Sequence, residues 1–269
     1  MTLFYLTLAK ICHTFPSIRK PFWKYVYQRL ADQYQQAEWT FMNYGYLPTK
    51  EDPIDLQTED EGDRNLIALY HHVASAVDLT EKEVLEVGSG RGGGASYVAR
   101  YLSPAEMTGI DISENAITFC RSRHKSENLT FQNGDAESIL FDEATFDVVL
   151  NVESSHCYGS ITRFFAEAYR VLRPGGAFLY ADFRPTEDVR GIREALISAG
   201  FNTLAEEDIT PNVIAALESD SEWKEQWISD LADASLQTTL KTFAATSGTK
   251  LFDEFKTGGL SYFRFHAKK

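Results

Sequence analysis

The chain has 269 residues, 43% of them hydrophobic, and a formal net charge of -13. That size suits one large α/β core with attachments and leaves little for a second independent domain, and the negative field argues against nucleic acid as a partner. Cys12, Cys120 and Cys157 are too few and too widely spaced for a disulfide framework or a paired-cysteine zinc site, so the expectation is a reducing, cytoplasmic setting and no metal.

The first twelve residues are apolar apart from Lys10 and two threonines, yet they lack a basic leader and are too short to span a bilayer. Leu3, Phe4, Leu6, Leu8 and Ile11, followed by the basic Arg19, Lys20 and Lys24, suit a packing helix; peripheral membrane contact through residues 1–24 is the second reading. Residues 1–40 read as helical, and residues 41–63 turn polar and acidic around Pro48, Pro53 and Gly62, a loop by composition. Residues 1–63 are therefore expected to form a helical cap and loop, with the catalytic domain over 64–269.

From Arg64 to Val77 the apolar residues recur at helical spacing, and strands then alternate with helices. Strands are expected at Glu83–Val87, Met107–Ile112, Leu129–Gln132, Phe146–Val152 and Ala177–Phe183, the last announced by a Pro174-Gly175-Gly176 turn. Helices are expected at Gly94–Leu102, after Asp111 through His124, and at Ile161–Leu172. Past Phe201–Glu206 the pattern becomes helical over 211–247, before a last alternating strand at Leu260–His266. This order predicts a doubly wound, mostly parallel seven-stranded α/β sheet of Rossmann-like type, with a helical insertion (211–258) before the last strand. Trp223 and Trp227, four apart, share one face of that insertion, extended by Leu217 and Leu231, and are placed to line an acceptor pocket.

The first strand runs into Gly88-Ser89-Gly90-Arg91-Gly92-Gly93-Gly94, where absent Cβ atoms allow a tight turn and a close ligand approach. Gly88, Gly90 and Gly93 also fit a dinucleotide fingerprint, which makes a nicotinamide cofactor one alternative. Glu86 separates the two readings: a carboxylate two residues before the first glycine opposes a pyrophosphate but tolerates S-adenosylmethionine (SAM), whose amino-acid end bears an ammonium and whose sulfur is cationic. Asp111 ends the second strand where ribose hydroxyls are held, its alternative being a helix cap. Asp135 after the third strand suits the exocyclic amine of adenine, or a simple Asp turn.

The run Glu86–Gly94, with Asp111, Gly134-Asp135-Ala136 and Leu172-Arg173-Pro174-Gly175-Gly176, resembles the class I SAM-dependent methyltransferases. Gly92–Tyr97, Asn151–Tyr158 and Tyr180–Pro185 are similar, more narrowly, to the phthiotriol/phenolphthiocerol dimycocerosate methyltransferases, which O-methylate a hydroxyl on a polyketide-derived lipid. That likeness runs from about Trp39 to the end, and the apolar leader matches no motif of the family. It implies SAM as cofactor, with Glu86, Gly88, Ser89, Gly90, Gly92, Asp111, Ile112, Asp135, Ala136 and Asn151 around it and Tyr44 and Tyr46 closing over it or packing in the core.

An alcohol acceptor loses a proton as it is methylated, and His156, just beyond the fourth strand, is the candidate base. Glu153 and Tyr158 are candidate acceptor contacts, Glu153 alternatively orienting His156 or being satisfied by backbone amides. Cys157 is set aside as a nucleophile because methyl transfer needs no covalent step, and the adjacent His71 and His72 cannot share a metal on one helix face. The alternatives to O-methylation are C-methylation of an isoprenoid or sterol-like alkene, and a SAM-binding cyclase or partner protein that transfers no methyl group.

Overall fold

The computed structural model describes residues 20–25, 28, 39–49, 54–231 and 234–269. The apolar leader before Lys20, with Cys12, lies outside the described residues, and so does the side chain of Leu231.

Seven strands form one sheet: β1 (Glu83–Val87), β2 (Glu106–Asp111), β3 (Leu129–Asn133), β4 (Phe146–Val152), β5 (Leu172–Pro185), β6 (Asn202–Asp208) and β7 (Leu260–Lys268). Their order is β3-β2-β1-β4-β5-β7-β6. All neighbours are parallel except β7, which runs antiparallel to both β5 and β6. The order reverses between β1 and β4, so the carboxyl ends of these two strands diverge into a crevice of the kind where α/β sheets take their ligands.

Helices cover both faces: α1 (Arg64–Ala74), α2 (Gly93–Tyr101), α3 (Glu114–Arg123), α4 (Ile161–Val171) and α5 (Val189–Ser198). Successive strand side chains point to opposite faces, which splits β1 and β4 between two cores. Val84, Met107 and Leu150 join α1 and α2 in one; Leu85, Val149, Phe164, Phe165 and Leu196 form the other. The second core is aromatic, with Phe178 stacked on Phe201 at 4.9 Å and edge-on to Phe165 at 5.7 Å. Burying each such ring contributes roughly 1.5–3 kcal/mol.

Three helices stand between β6 and β7 in chain order: α6 (Thr210–Leu231), α7 (Ala234–Phe243) and α8 (Lys250–Lys256). The single helix expected over 211–247 is thus divided, and α8 falls within the helical insertion expected over 211–258. The helix α5 was not anticipated: its apolar signal is thin because Ile192 and Leu196 are its only buried residues and Gly191 interrupts it. The expected turn at Pro174–Gly176 is absorbed into β5: Gly175 takes φ +81°, the register against β4 shifts there, and the Lys269 main chain closes on Gly175 and Gly176.

Residues 39–49 differ most from expectation. Composition suggested a polar loop, but Phe41, Tyr44 and Tyr46 are buried in the α1 core. The segment has no regular structure and is held by specific bonds: Tyr46 N–H donates to Asn65 O (2.9 Å) and Asn43 Nδ2 to Leu66 O (3.2 Å). Among the described residues no helix is long and apolar enough to cross a membrane.

Candidate active site

The turn after β1 is built by left-handed glycines: Gly88, Gly90 and Gly92 have φ of +78°, +54° and +80°. Gly88 and Ser89 N–H both donate to Ile110 O, at 2.8 and 3.0 Å, which clamps the turn onto β2. A Cβ on Gly88 would lie 2.4 Å from Ser154 Oγ, and one on Gly92 would meet His124, Phe131 and Cys120 within 2.9 Å. At Gly90 the nearest neighbour would be Met42 Sδ at 3.6 Å. Two glycines are therefore required by the protein itself, and the third leaves space for a ligand to reach the main chain.

Asp111 lies across this turn. Its Oδ2 accepts from Gly90 N–H (2.9 Å) and its Oδ1 from Ser113 N–H (2.8 Å). The N-cap of α3 is Ser113, whose side chain accepts from Ala116 N–H, so Asp111 is not spent as a cap. Burial pushes its carboxyl up to about 6 against these amide donors.

A cavity opens at this edge of the sheet. Gly88, Ser89, Gly90, Asp111, Ile112, Gly134, Asp135 and Ala136 line one end; Tyr44, Glu153, Ser154, His156, Cys157 and Tyr158 line the other. Lys20, Trp23, Lys24, Phe41, Met42 and Phe243 complete the wall. Lys20 pairs with Asp135 and lies 3.4 Å from Glu137, which brings the helical residues 20–25 over the Asp135 end.

Four of the expected cofactor residues stand off the cavity wall. Glu86 is fully buried and accepts a 2.7 Å hydrogen bond from the Tyr70 hydroxyl; burial pushes its carboxyl up to about 8. Gly92 is enclosed by α3 and β3. Asn151 is a buried strut, its Nδ2 donating to Val87 O and Ser154 Oγ, both at 2.7 Å. Tyr46 stacks on His72 at 4.3 Å. Tyr158 does reach the cavity, with its hydroxyl bonded to Ser154 Oγ (2.9 Å) and Asn151 Nδ2 (3.0 Å). Trp223 and Trp227 line a neighbouring cavity instead, and Leu217 belongs to the main core.

His156 sits in a single 3-10 turn after β4, and its Nδ1 lies 2.9 Å from Asp182 Oδ1. Asp182 is wholly buried on β5 and crowded with donors: Phe183 N–H (2.9 Å) on Oδ1, and Ser155 Oγ (2.6 Å) and His156 N–H (2.9 Å) on Oδ2, with Arg184 Nη1 3.1 Å away. Burial opposes this carboxylate, but Arg184 and His156 outweigh it and hold its pKa well below the usual range. Burial also opposes charging the imidazole; the Cys157 sulfur and the Asp182 carboxylate overcome that and hold the ring's pKa well above its ordinary value. Phe183 at 4.5 Å and Trp23 at 6.3 Å flank the ring.

Glu153 takes the left-handed φ of +49°, costly for a residue with a Cβ. Its Oε2 accepts from Tyr44 N–H and the Tyr262 hydroxyl, both at 2.9 Å, and burial pushes the carboxyl up to about 8. Glu153 therefore does not bond His156. Asp182 takes that place, and sequence reasoning missed it. A lone acid inside the apolar run Ala177–Phe183 was a usable signal, because a buried carboxylate needs partners. Among the described residues no group of histidines, cysteines and acids could hold a metal.

A sequence model described as a methyltransferase domain matches residues 85–180. The chain is 40% identical over 249 residues to the phthiotriol/phenolphthiotriol dimycocerosates methyltransferase of Mycobacterium tuberculosis, covering 91% of each chain. It is 39% identical over 242 residues to the fatty-acid O-methyltransferase of Mycolicibacterium smegmatis, covering 89% of this chain and 86% of that one. In fold it matches the crystal structure of the cyclase SpnF with a TM-score of 0.68 at 22% identity, over 91% and 93% of the two chains.

Proposed function

The chain belongs to the phthiotriol/phenolphthiotriol dimycocerosates methyltransferase family of SAM-dependent methyltransferases, and from that premise we propose that it O-methylates a hydroxyl on an apolar, lipid- or polyketide-like acceptor. The observation that carries this reading is His156 on the cavity wall with the buried Asp182 carboxylate bonded behind it. With Nδ1–H donating to Asp182, the lone pair of Nε2 is left to accept a hydroxyl proton, and the buried carboxylate stabilises the imidazolium that results.

SAM supplies a methyl group on a cationic sulfur, so the chain's tasks are alignment, exclusion of water and removal of one proton. Gly88, Ser89, Gly90, Ile112, Asp135 and Ala136 form the cofactor wall in this reading. Asp111 receives the ribose hydroxyls, and its own donors Gly90 and Ser113 fix its orientation. Glu86, Gly92 and Asn151 act through the turn they support, without touching cofactor. Tyr44 and Tyr158 border the space between cofactor and acceptor. The insertion 211–258 serves as a lid on the domain 64–269; Phe243 of α7 on the cavity wall supports this.

O-methylation is favoured over C-methylation by His156 on the cavity wall and by the 39% identity to a fatty-acid O-methyltransferase.

The test is the linkage of the transferred methyl. When the protein is incubated with methyl-labelled SAM and a cellular lipid extract, the labelled product is expected to survive saponification and to release its label as methyl iodide in hydriodic acid, as an ether does. Label that resists hydriodic acid sits on carbon and would overturn the reading; label lost on saponification marks a carboxyl acceptor in place of a hydroxyl.

A further inference from the structure

Beside the cavity described above lies a second one, lined by Trp39, Trp223, Trp227, Ile228 and Leu240 and sharing Phe41, Met42, Asn43, Tyr44 and Phe243 with the first. Its wall is mostly apolar, and Lys224 of α6 is a charged member of it. Lys224 and Asp220, four apart on α6, are 7% and 6% exposed, and Asp220 stands off the cavity wall. Asp63 borders the same cavity.

The pairing between these two groups is incomplete. Asn65 Nδ2 donates to Asp220 Oδ1 at 2.7 Å and fixes that carboxylate. Lys224 Nζ lies 3.4 Å from the other oxygen, Oδ2, but neither atom has a hydrogen-bond partner among the described residues. A buried ammonium with no hydrogen-bonded acceptor and a buried carboxylate oxygen with no donor are each costly to leave unmet. Of the two, Lys224 borders the cavity, so its unmet donor is what an entering oxygen would satisfy.

We propose that this second cavity binds the distal part of the acceptor, an apolar chain carrying a second hydroxyl that accepts from Lys224 Nζ. A neutral group is required because the Lys224 charge is already balanced by Asp220, and an anion entering here would face both Asp220 and Asp63. The shared wall of Phe41 to Tyr44 and Phe243 puts the two cavities within reach of one long molecule, one hydroxyl at His156 and the other at Lys224. This rests on the O-methylation reading for the first hydroxyl but is tested by binding alone.

Trp223 and Trp227 line the second cavity, Trp39 lines both and Trp23 the first, so intrinsic fluorescence reports binding and the Lys224 variant locates it. The probes are hexadecanol, hexadecanoate and a set of hexadecanediols whose second hydroxyl is stepped along the chain, titrated from cyclodextrin into protein saturated with S-adenosylhomocysteine. One diol is expected to bind about tenfold or more tighter than hexadecanol, the worth of a hydrogen bond to a charged group. In Lys224→Met that ratio is expected to fall to near unity, with the melting shift given by S-adenosylhomocysteine showing that the variant is folded. Where Lys224→Met does not fold, Trp223→Phe serves instead: the fluorescence change given by the preferred diol is expected to shrink in it, and an unchanged signal would overturn the proposal. Diols no tighter than hexadecanol would mean that water satisfies the pair and would overturn the proposal, as would tightest binding of hexadecanoate. Failure of methyl transfer to any of these probes bears on the O-methylation reading and leaves the binding ratio standing.

Discussion

Replacing His156 by alanine is expected to lower turnover by about 10²–10⁴-fold, the usual contribution of a positioned general base. Affinity for S-adenosylhomocysteine should change little, because His156 lies at the opposite end of the cavity from Asp111 and Asp135. The measurement is kcat at saturating acceptor beside a direct titration of the cofactor product. A variant that retains near-normal turnover would remove His156 from the chemistry and leave alignment alone as the source of the rate.

Gly88→Ala should have an equally large effect, on binding. The added Cβ meets Ser154 Oγ at 2.4 Å and Tyr158 Oη at 2.6 Å, and the backbone stands at φ +78°, where a side chain is strained by about 1–2 kcal/mol. Ser154 and Tyr158 are themselves bonded to each other and to Asn151, so they cannot give way without breaking that strut. The turn has to move instead, and with it the edge that faces the ligand. S-adenosylhomocysteine is expected to lose its melting-temperature shift at concentrations that saturate the wild type, and the variant's own melting temperature is expected to fall. Gly191→Ala is the matched control, since nothing lies within 4 Å of its Cβ and it sits inside α5; there the substitution should be neutral or stabilising by roughly 0.5–1 kcal/mol. Wild-type cofactor affinity in Gly88→Ala would show that the turn does not form the binding edge.

The centre of the sheet was legible because β1 and β4 are buried on both faces and read as short apolar runs; Glu83–Val87 and Phe146–Val152 fall where expected. The glycine turn and Asp111 were legible for a related reason, since backbone chemistry at the end of β1 permits few residue types. What the sequence concealed lies in packing between distant segments. Residues 41–63 read as a polar loop because of the acidic stretch 51–63, and only the tertiary fold shows Phe41, Tyr44 and Tyr46 packed in the α1 core. Asp182 is adjacent to His156 through the register of β4 and β5, where Val152 pairs with Ala181, and no local spacing reveals that. Glu86 shows the converse: it stands at the strand tip, but its side chain turns to Tyr70 and off the cavity wall. Trp223 and Trp227 share a cavity as their spacing suggested, yet it is the second one, and Trp223 is 42% exposed.

The claim that His156 removes the acceptor's proton with Asp182 behind it is tested most directly by the pH dependence of turnover in the wild type and in Asp182→Asn. Only the neutral ring can accept a proton. A pKa held above the ordinary value of about 6.5 therefore makes the rate climb with pH through the neutral range and level off on the alkaline side. Replacing the carboxylate with an amide removes one of the two influences, Cys157 and Asp182, that hold the ring protonated, so the inflection should move to lower pH even as the maximal rate drops. A substitution that merely loosened the fold would lower the rate at every pH and leave the inflection in place. A downward shift of about one unit or more in Asp182→Asn is the predicted result; a wild-type profile that is flat, or an inflection that Asp182→Asn does not move, would contradict it.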